Sequence, residues 1–350
     1  MSETKAGNPG RVLGFLFAGG PTTRAALARG LGLTRAAMTE LVGSLVTAGL
    51  LMEDSERSPA GRGRPGQLIR LRPDAGHFVG AEIGVERLVV TILDLAGAVR
   101  GRVEQRGSLA GCAPETVCHR LTGLVEAARH RHGPPGLAGG LGVSVPGFMT
   151  RDGVVLSAPL LGWHDVDVAG TLRRHFDGPV MVENDANATA HGEWHFVPER
   201  RGGDLLAVLL ANGIGCGIVA DGRILRGAHG LAGELGHLPM VIAADGETNW
   251  EARAGLLAAR SGIMPDDWPL WLARGLAAAT YAYDPETIVI AGELTDLFLL
   301  HRQDVEAHLR RLLVPGYPLP ALAAARFGAD GCAIGAASLV HARFLNQTAT

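Results

Sequence analysis

Two short segments gather the side chains that hold polyhydroxylated ligands. Val182-Glu-Asn-Asp-Ala-Asn-Ala188 sets acids and amides in consecutive positions, and Ala232-Gly-Glu-Leu-Gly-His237 adds a carboxylate and an imidazole, with Glu251 following in Asn249-Trp-Glu. Carboxylates and carboxamides accept and donate paired hydrogen bonds, the geometry a vicinal diol offers, so the chemistry available is hydroxyl recognition. Taken alone, the first segment reads equally as a polar turn whose Asn and Asp bond the backbone. Phosphate chemistry has a narrower opening. Lys5 is the only lysine, which excludes a GxxxxGK[ST] loop and any lysine Schiff base beyond the N-terminus.

The elements that must position these groups belong to a 350-residue chain, 47% hydrophobic and 19% charged, with room for about two or three globular domains. No apolar run reaches the roughly 18 residues a membrane span needs, and Met1 to Pro9 lacks a basic-then-apolar leader, so a cytoplasmic protein without membrane contact is expected. Cys112, Cys118, Cys216 and Cys332 form no CxxC pair and read as buried thiols. The net charge of −3 conceals an asymmetry: Met1 to Ala75 carries ten basic against six acidic residues, +4, leaving −7 for the remainder. A basic head on an acidic body implies that only the head meets a polyanion.

That head reads as a DNA-binding unit. Val12, Leu13, Leu16 and Phe17 mark a first helix stopped by Gly19, Gly20 and Pro21; Thr23 caps a second, with Leu27 and Leu31 inward and glycines 30 and 32 ending it. Thr34 caps a third, whose stripe is Met38, Leu41, Val42, Leu45 and Val46. The two-residue link Gly32-Leu33 suits a helix-turn-helix, and Thr34, Arg35 and Thr39 lie off the apolar stripe, where DNA would be met. A hairpin follows, with Arg62 and Arg64 on glycines at its tip and a strand from Gln67 to Leu71, slim enough to enter a minor groove.

From residue 76 onward a strand meander occurs twice. His77 to Glu82, Arg87 to Leu93 and Ala98 to Glu104 form the first; Leu205 to Leu210, Gly217 to Ala220 and Arg223 to Leu225 form the second, after a turn at Ala211-Asn-Gly-Ile-Gly-Cys. A design repeated about 125 residues apart, with helical stretches after each copy, implies two similar lobes and a cleft between them. Gly213-Ile-Gly-Cys-Gly217 is no dinucleotide fingerprint, because a strand and an Asp-Gly hairpin follow it where a helix is required.

The order of these pieces resembles the ROK family of repressors and sugar kinases. Gly142-Val-Ser-Val-Pro-Gly147, the Val182 to Ala188 segment, Gly213 to Val219 with Asp221-Gly222, Ala232 to His237 and Ile334-Gly-Ala-Ala337 carry the resemblance, and the head with Gly-Arg-Gly-Arg-Pro matches the repressor branch. It implies an α/β fold, with a winged helix-turn-helix at residues 1–75 and an actin-like, two-lobed ROK domain of sugar-kinase and ribonuclease H-like architecture at 76–350. Carried over by motif, Gly147, Asn184, Asp185, Glu234, His237 and Glu251 would bind the sugar, with Asp185 in the place of the kinase's general base.

Three kinase features are altered. The phosphate loop DxGGTK reads Glu82-Ile-Gly-Val-Glu-Arg87, GTGIG reads Ala211-Asn-Gly-Ile-Gly215, and GGG reads Ala291-Gly-Glu293. A carboxylate placed about 4 Å from a phosphate charge costs on the order of 4 kcal/mol at an effective dielectric of 20, roughly a thousandfold in affinity. The family's zinc site needs three cysteines after His237; Val241 to Glu251 has none, so no zinc is expected. Asp245, Glu247 or Asn249 would then orient His237, on a loop free to reshape. The resulting expectation is a DNA-binding repressor with a sugar effector, no catalytic residue in use, neither ATP nor Mg²⁺ bound, and a homodimer or dimer of dimers on an operator. An ATP-dependent sugar kinase acting through Asp185 is the rival. The closing helix near Gly331 to Phe344 would cross back over the domain.

Overall fold

The computed structural model describes residues 7–57, 66–134, 136–243, 246–255 and 267–347. In the head, α1 (Asn8–Gly19), α2 (Arg24–Leu31) and α3 (Arg35–Thr47) pack beside a small antiparallel sheet in which β3 (Gln67–Leu71) lies between β1 (Thr22–Thr23) and β2 (Leu51–Arg57). Local chemistry sets the helix starts. Thr23 Oγ1 accepts from Ala26 N at 3.3 Å and Thr34 Oγ1 from Ala37 N at 3.2 Å, each satisfying an orphan amide of a first turn. Gly32, at φ 68°, supplies the left-handed turn between α2 and α3. Gly30 does not end α2 as its type suggests: it lies inside the helix, where an added Cβ would come within 2.5 Å of the Phe15 ring.

Two five-stranded sheets follow, and they share one topology. The first runs β11-β7-β4-β5-β6, from β4 (Gly76–Ile83), β5 (Arg87–Asp94), β6 (Val99–Arg106), β7 (Leu137–Val145) and β11 (Val180–Asn184). The second runs β18-β17-β12-β13-β14, from β12 (Leu205–Leu210), β13 (Ile214–Ala220), β14 (Arg223–Ile224), β17 (Thr287–Gly292) and β18 (Ala321–Ala324). In each, an antiparallel meander joins two further strands parallel to its first. This is the duplicated lobe implied by the two meanders. β13 begins three residues earlier than its sequence suggests, because Ile214 to Cys216 pair with β12 instead of remaining in the turn.

Helices α4 (Pro114–His132) and α5 (Val168–Arg173) cover the first lobe beside the small sheet β8 (Phe148–Met149), β9 (Val155–Ala158) and β10 (Trp163–Val166). Helices α7 (Trp250–Ala254), α8 (Trp268–Tyr283) and α9 (Thr295–Leu312) cover the second. The stretch expected to be a reshaping loop is a backbone-paired hairpin, β15 (Pro239–Ala243) with β16 (Gly246–Asn249). Between the sheets lie α6 (Asp185–Phe196) and the closing helix α10 (Gly331–Gln347).

The closing helix does cross back, and it reaches the head. Leu345 and Val340 share one hydrophobic core with Val12, Leu13 and Leu16 of α1 and with Phe78 of β4, so that core runs across residue 75. Along the way α10 crosses α6 too closely for side chains: a Cβ on Gly335 would sit 2.0 Å from Ala188 O, and one on Gly192 would sit 2.6 Å from the Gly335 Cα. Gly335→Ala is therefore expected to cost at least ~1–3 kcal/mol, the range for overpacking a dense interior, read as a melting temperature lowered by several degrees.

Candidate functional site

A cleft of about 1150 Å³ opens between the lobes, and residues from both meanders, β11, α6 and the β17–α9 junction line it. At its floor β11 passes directly into α6. Asn184 makes that junction: its Oδ1 accepts from Ala186 N at 2.9 Å and Asn187 N at 3.1 Å, and its Nδ2 donates to Gly147 O at 3.1 Å. Gly147, at φ 108°, must be glycine, since a Cβ there would meet Ser157 O at 2.4 Å. Both Gly147 and Asn184 line the cleft, yet much of the bonding capacity of Asn184 goes to capping a helix and pinning a loop.

Asp185, the next residue, stands at the first turn of α6, lines the cleft and accepts from Ala186 N at 2.8 Å. Burial raises its carboxyl to about 6, against the backbone hydrogen bonds that pull it down. Across the cleft, Glu234 is also raised, by burial first and then by the like charges of Asp185 and Glu251. Glu251 Oε2 accepts from Ile214 N at 3.4 Å, and its Oε1 lies 3.7 Å from His237 Nδ1, an ion-pair separation longer than a hydrogen bond. Of the partners expected for His237, only the side chain of Asn249 is described, and it is engaged elsewhere. Asn249 caps α7 by accepting from Ala252 N at 2.9 Å, Asp245 lies outside the described residues, and Glu251 together with the Phe148 ring, 6.0 Å away, flanks the imidazole. Pro159 and Leu160, between β9 and β10, also line the cleft.

Glu183 and Arg226 had no role assigned from sequence. Buried Glu183 accepts from Asn184 N at 3.0 Å and Asn187 Nδ2 at 3.1 Å, while its other oxygen takes Arg226 Nε at 2.9 Å, so one carboxylate holds the floor of the cleft and ties β11 to the segment after β14. The residues are 43 positions apart, and no spacing rule links them.

The cleft is crowded with charge. Among the described residues, seven carboxylates line the cleft (Glu82, Glu86, Asp185, Glu234, Glu251, Glu293 and Asp296) against Arg87 and Arg106. Glu82 binds Arg87 with both oxygens, at 3.0 and 2.9 Å. These residues fit a magnesium nucleotide poorly, because a guanidinium already engages both oxygens of Glu82 and carries its positive charge there. Zinc does not fit either, since no cysteine lies between Val241 and Glu251.

The head's candidate surface is the exposed side of α3. Arg35 and Thr39 are exposed there, with Thr39 Oγ1 donating to Arg35 O at 2.9 Å and Thr34 engaged as the cap. Arg62 and Arg64 lie outside the described residues.

The C-terminal end of α6 meets the head at a histidine cluster. His341 Nε2 donates to Leu95 O at 3.0 Å, because a carbonyl only accepts; neutral His341 then accepts at Nδ1 from His195 Nε2, 2.8 Å away. Ser338 donates to Gly335 O, so His191 Nδ1 donates to Ser338 Oγ. Burial lowers His191 and His341 to about 4 and His195 well below its usual value, keeping all three neutral. Phe17 of α1 stacks on His195 at 4.8 Å, and Arg201 lies 4.3 Å over the Phe17 ring while donating to Phe17 O at 3.0 Å.

With this geometry in view, kinship is informative. The ROK family model matches residues 78–253 and 266–343. The chain belongs to the ROK family. Among relatives, it is 29% identical over 220 residues to the xylose repressor of Bacillus subtilis, covering 62% of this chain and 56% of that protein. Its match to the glucokinase of Streptomyces coelicolor is 24% identical, covering 76% of this chain and 98% of the enzyme. In structure it resembles a ROK family transcriptional regulator, a homolog of the E. coli MLC protein, at a TM-score of 0.79 and 22% identity over 97% of this chain and 96% of that one. A Streptomyces griseus ROK glucokinase in complex with glucose and AMPPNP reaches 0.63 at 23% identity, over 75% of this chain and 99% of that one. The fold is accordingly an actin-like, two-lobed ROK domain preceded by a head of three helices and a small antiparallel sheet, an arrangement consistent with a helix-turn-helix. The matched region is little more than half the length of the xylose repressors. No helix among the described residues is long and apolar enough to cross a membrane.

Glu183→Ala removes the partner of Arg226 and an acceptor for Asn184 N and Asn187. The expected cost is about 1–3 kcal/mol, below the full penalty for an unpaired buried charge because Arg226 is only partly buried. A lower urea midpoint with an unchanged slope checks it.

Proposed function

We propose that this ROK protein is a sugar-responsive transcriptional repressor whose head binds an operator as a homodimer, in the cytoplasm, and whose cleft binds a sugar without phosphorylating it. The observation that carries the reading is α6. Its first residue, Asp185, lines the cleft, and His195 in its last turn, about 15 Å away at 1.5 Å per residue, touches Phe17 of the DNA-binding head. One rigid helix thus spans both functions. A sugar bridging Asp185 and Asn184 with Glu234, His237 and Glu251 would draw the lobes together, shift α6 relative to α10, and change the angle at which α1 is held. Coupling of this kind requires different sugar affinities in the two head arrangements. Arg35, Thr34 and Thr39, with Arg62 and Arg64 from the wing, are the proposed DNA contacts. Kinship with xylose repressors supports a sugar as effector.

A panel of sugars in a thermal-shift assay, followed by operator titrations, tests this. A binding sugar raises the melting temperature and weakens operator affinity by about 5–150-fold, the usual range of allosteric coupling. Arg201→Ala, which frees Phe17 without touching the cleft, is expected to leave sugar affinity within about twofold and to reduce that coupling by at least half in free energy. Undiminished release from the operator in this variant would remove α6 and Phe17 from the route.

The retained Asp185, raised to about 6, favours a second reading, a sugar kinase with an appended head. ADP release across hexoses, pentoses and amino sugars decides between them. No turnover above background is expected, and turnover abolished by Asp185→Asn would establish the kinase.

A further inference from the structure

Glu82 ends the first strand of the first lobe, the place where the sequence resembles a kinase phosphate loop, and its side chain is not open to solvent chemistry. Arg87 Nε and Nη2 reach Oε1 at 3.0 Å, and Nη2 reaches Oε2 at 2.9 Å. The same Nη2 donates to Ala329 O at 2.7 Å, in the turn between β18 of the second lobe and α10, so the guanidinium is held at both ends. Next to that turn, Arg102 Nε binds Asp330 at 2.7 Å. The pair folds over Gly84: a Cβ built there would lie 3.1 Å from Glu82 Oε1 and 3.4 Å from Arg87 Cγ. In a phosphate loop, glycine leaves its backbone bare for an anion to approach. Here this chain's own side chains cover it.

We infer that Arg87 is a built-in cation that takes the metal's position on Glu82, so that the cleft accepts only unphosphorylated ligands and needs no nucleotide to join its lobes. Three features converge on this. The guanidinium takes up part of the acceptor capacity of both carboxylate oxygens and sets its own positive charge where a divalent cation would have to approach. The bond to Ala329 holds the arginine against rotation away from Glu82. The carboxylate excess of the cleft repels a triphosphate or sugar phosphate arriving without its metal, while a neutral polyol meets no such barrier. Burial raises Glu82 to about 7 even with Arg87 beside it, which makes the counter-ion's loss the more consequential.

The inference rests on the reading of the cleft as a sugar site without nucleotide, and the full-length chain tests it. Mn²⁺ alone is titrated by electron paramagnetic resonance, with and without AMPPNP. The wild type is expected to bind Mn²⁺ no better than at scattered surface sites. Arg87→Gln frees Glu82 and is expected to gain at least tenfold in Mn²⁺ affinity, and adding Glu82→Gln is expected to remove the gain. Should Arg87→Gln fail to fold, Arg87→Lys, whose single ammonium leaves one carboxylate oxygen open, is expected to gain severalfold. Wild-type Mn²⁺ binding abolished by Glu82→Gln, or no gain in either arginine variant, overturns the assignment. Sugar-induced thermal shift in the wild type is a separate readout: its absence sinks the sugar reading, and it does not depend on the outcome with Mn²⁺.

Discussion

The crossing of α6 and α10 is the constraint on which the molecule is built. At Gly192 and Gly335 the two backbones approach more closely than any Cβ permits, and the sheets close on the same pair of helices in the same way. Gly80 and Gly142 of the first sheet press on Ala333 O and Ala336 O of α10, while Gly217 of the second presses on Ala186 O of α6. Each lobe therefore grips one of two helices that cannot separate without opening a void. Motion between the lobes must become motion of α6 against α10, and the head, seated on the ends of both, is placed to register it.

Charge is disposed along the cleft in two ways. At one end Asp185, Glu234 and Glu251 line the cleft; burial raises Asp185, and burial together with the charges of Asp185 and Glu251 raises Glu234. Sugar hydroxyls are donors that bring no charge of their own. On the other side the carboxylate is already neutralised within the chain. Arg87 also donates to Ala329 O beyond β18, so the charge pair at the end of β4 is at the same time a tie between the lobes.

Much of the architecture was legible because its signals are local. Thr23 and Thr34 announce their helices through hydrogen bonds three residues long, and the repeated meander announces itself by strand and turn periodicity. Glycine was the ambiguous letter. Gly30 reads as a terminator, while its actual reason is the Phe15 ring, and Gly335 reads as part of a motif without revealing the helix crossing behind it. At the site, the polar-turn reading of the Val182 to Ala188 segment holds for Asn184, which bonds the backbone, while the neighbouring Asp185 lines the cleft. What stayed hidden depends on long-range partners. Glu183 finds Arg226, Glu251 finds Ile214 N, and Arg87 finds Ala329, none of them at a separation that pattern or propensity encodes.

The histidine cluster makes the junction beneath the head polar and directional. His191 and His195 are one turn apart on α6, so their pairing is local, but the acceptors that fix their tautomers, Ser338 and His341, belong to α10. A purely apolar contact between the helices would tolerate sliding at small cost, whereas directed hydrogen bonds weaken steeply when misaligned. Because the three imidazoles stay neutral at physiological pH, the cluster responds to geometry and not to protons. The junction under Phe17 is thus held in one arrangement until a movement of α6 large enough to break those bonds displaces it, which is the behaviour a two-state switch needs.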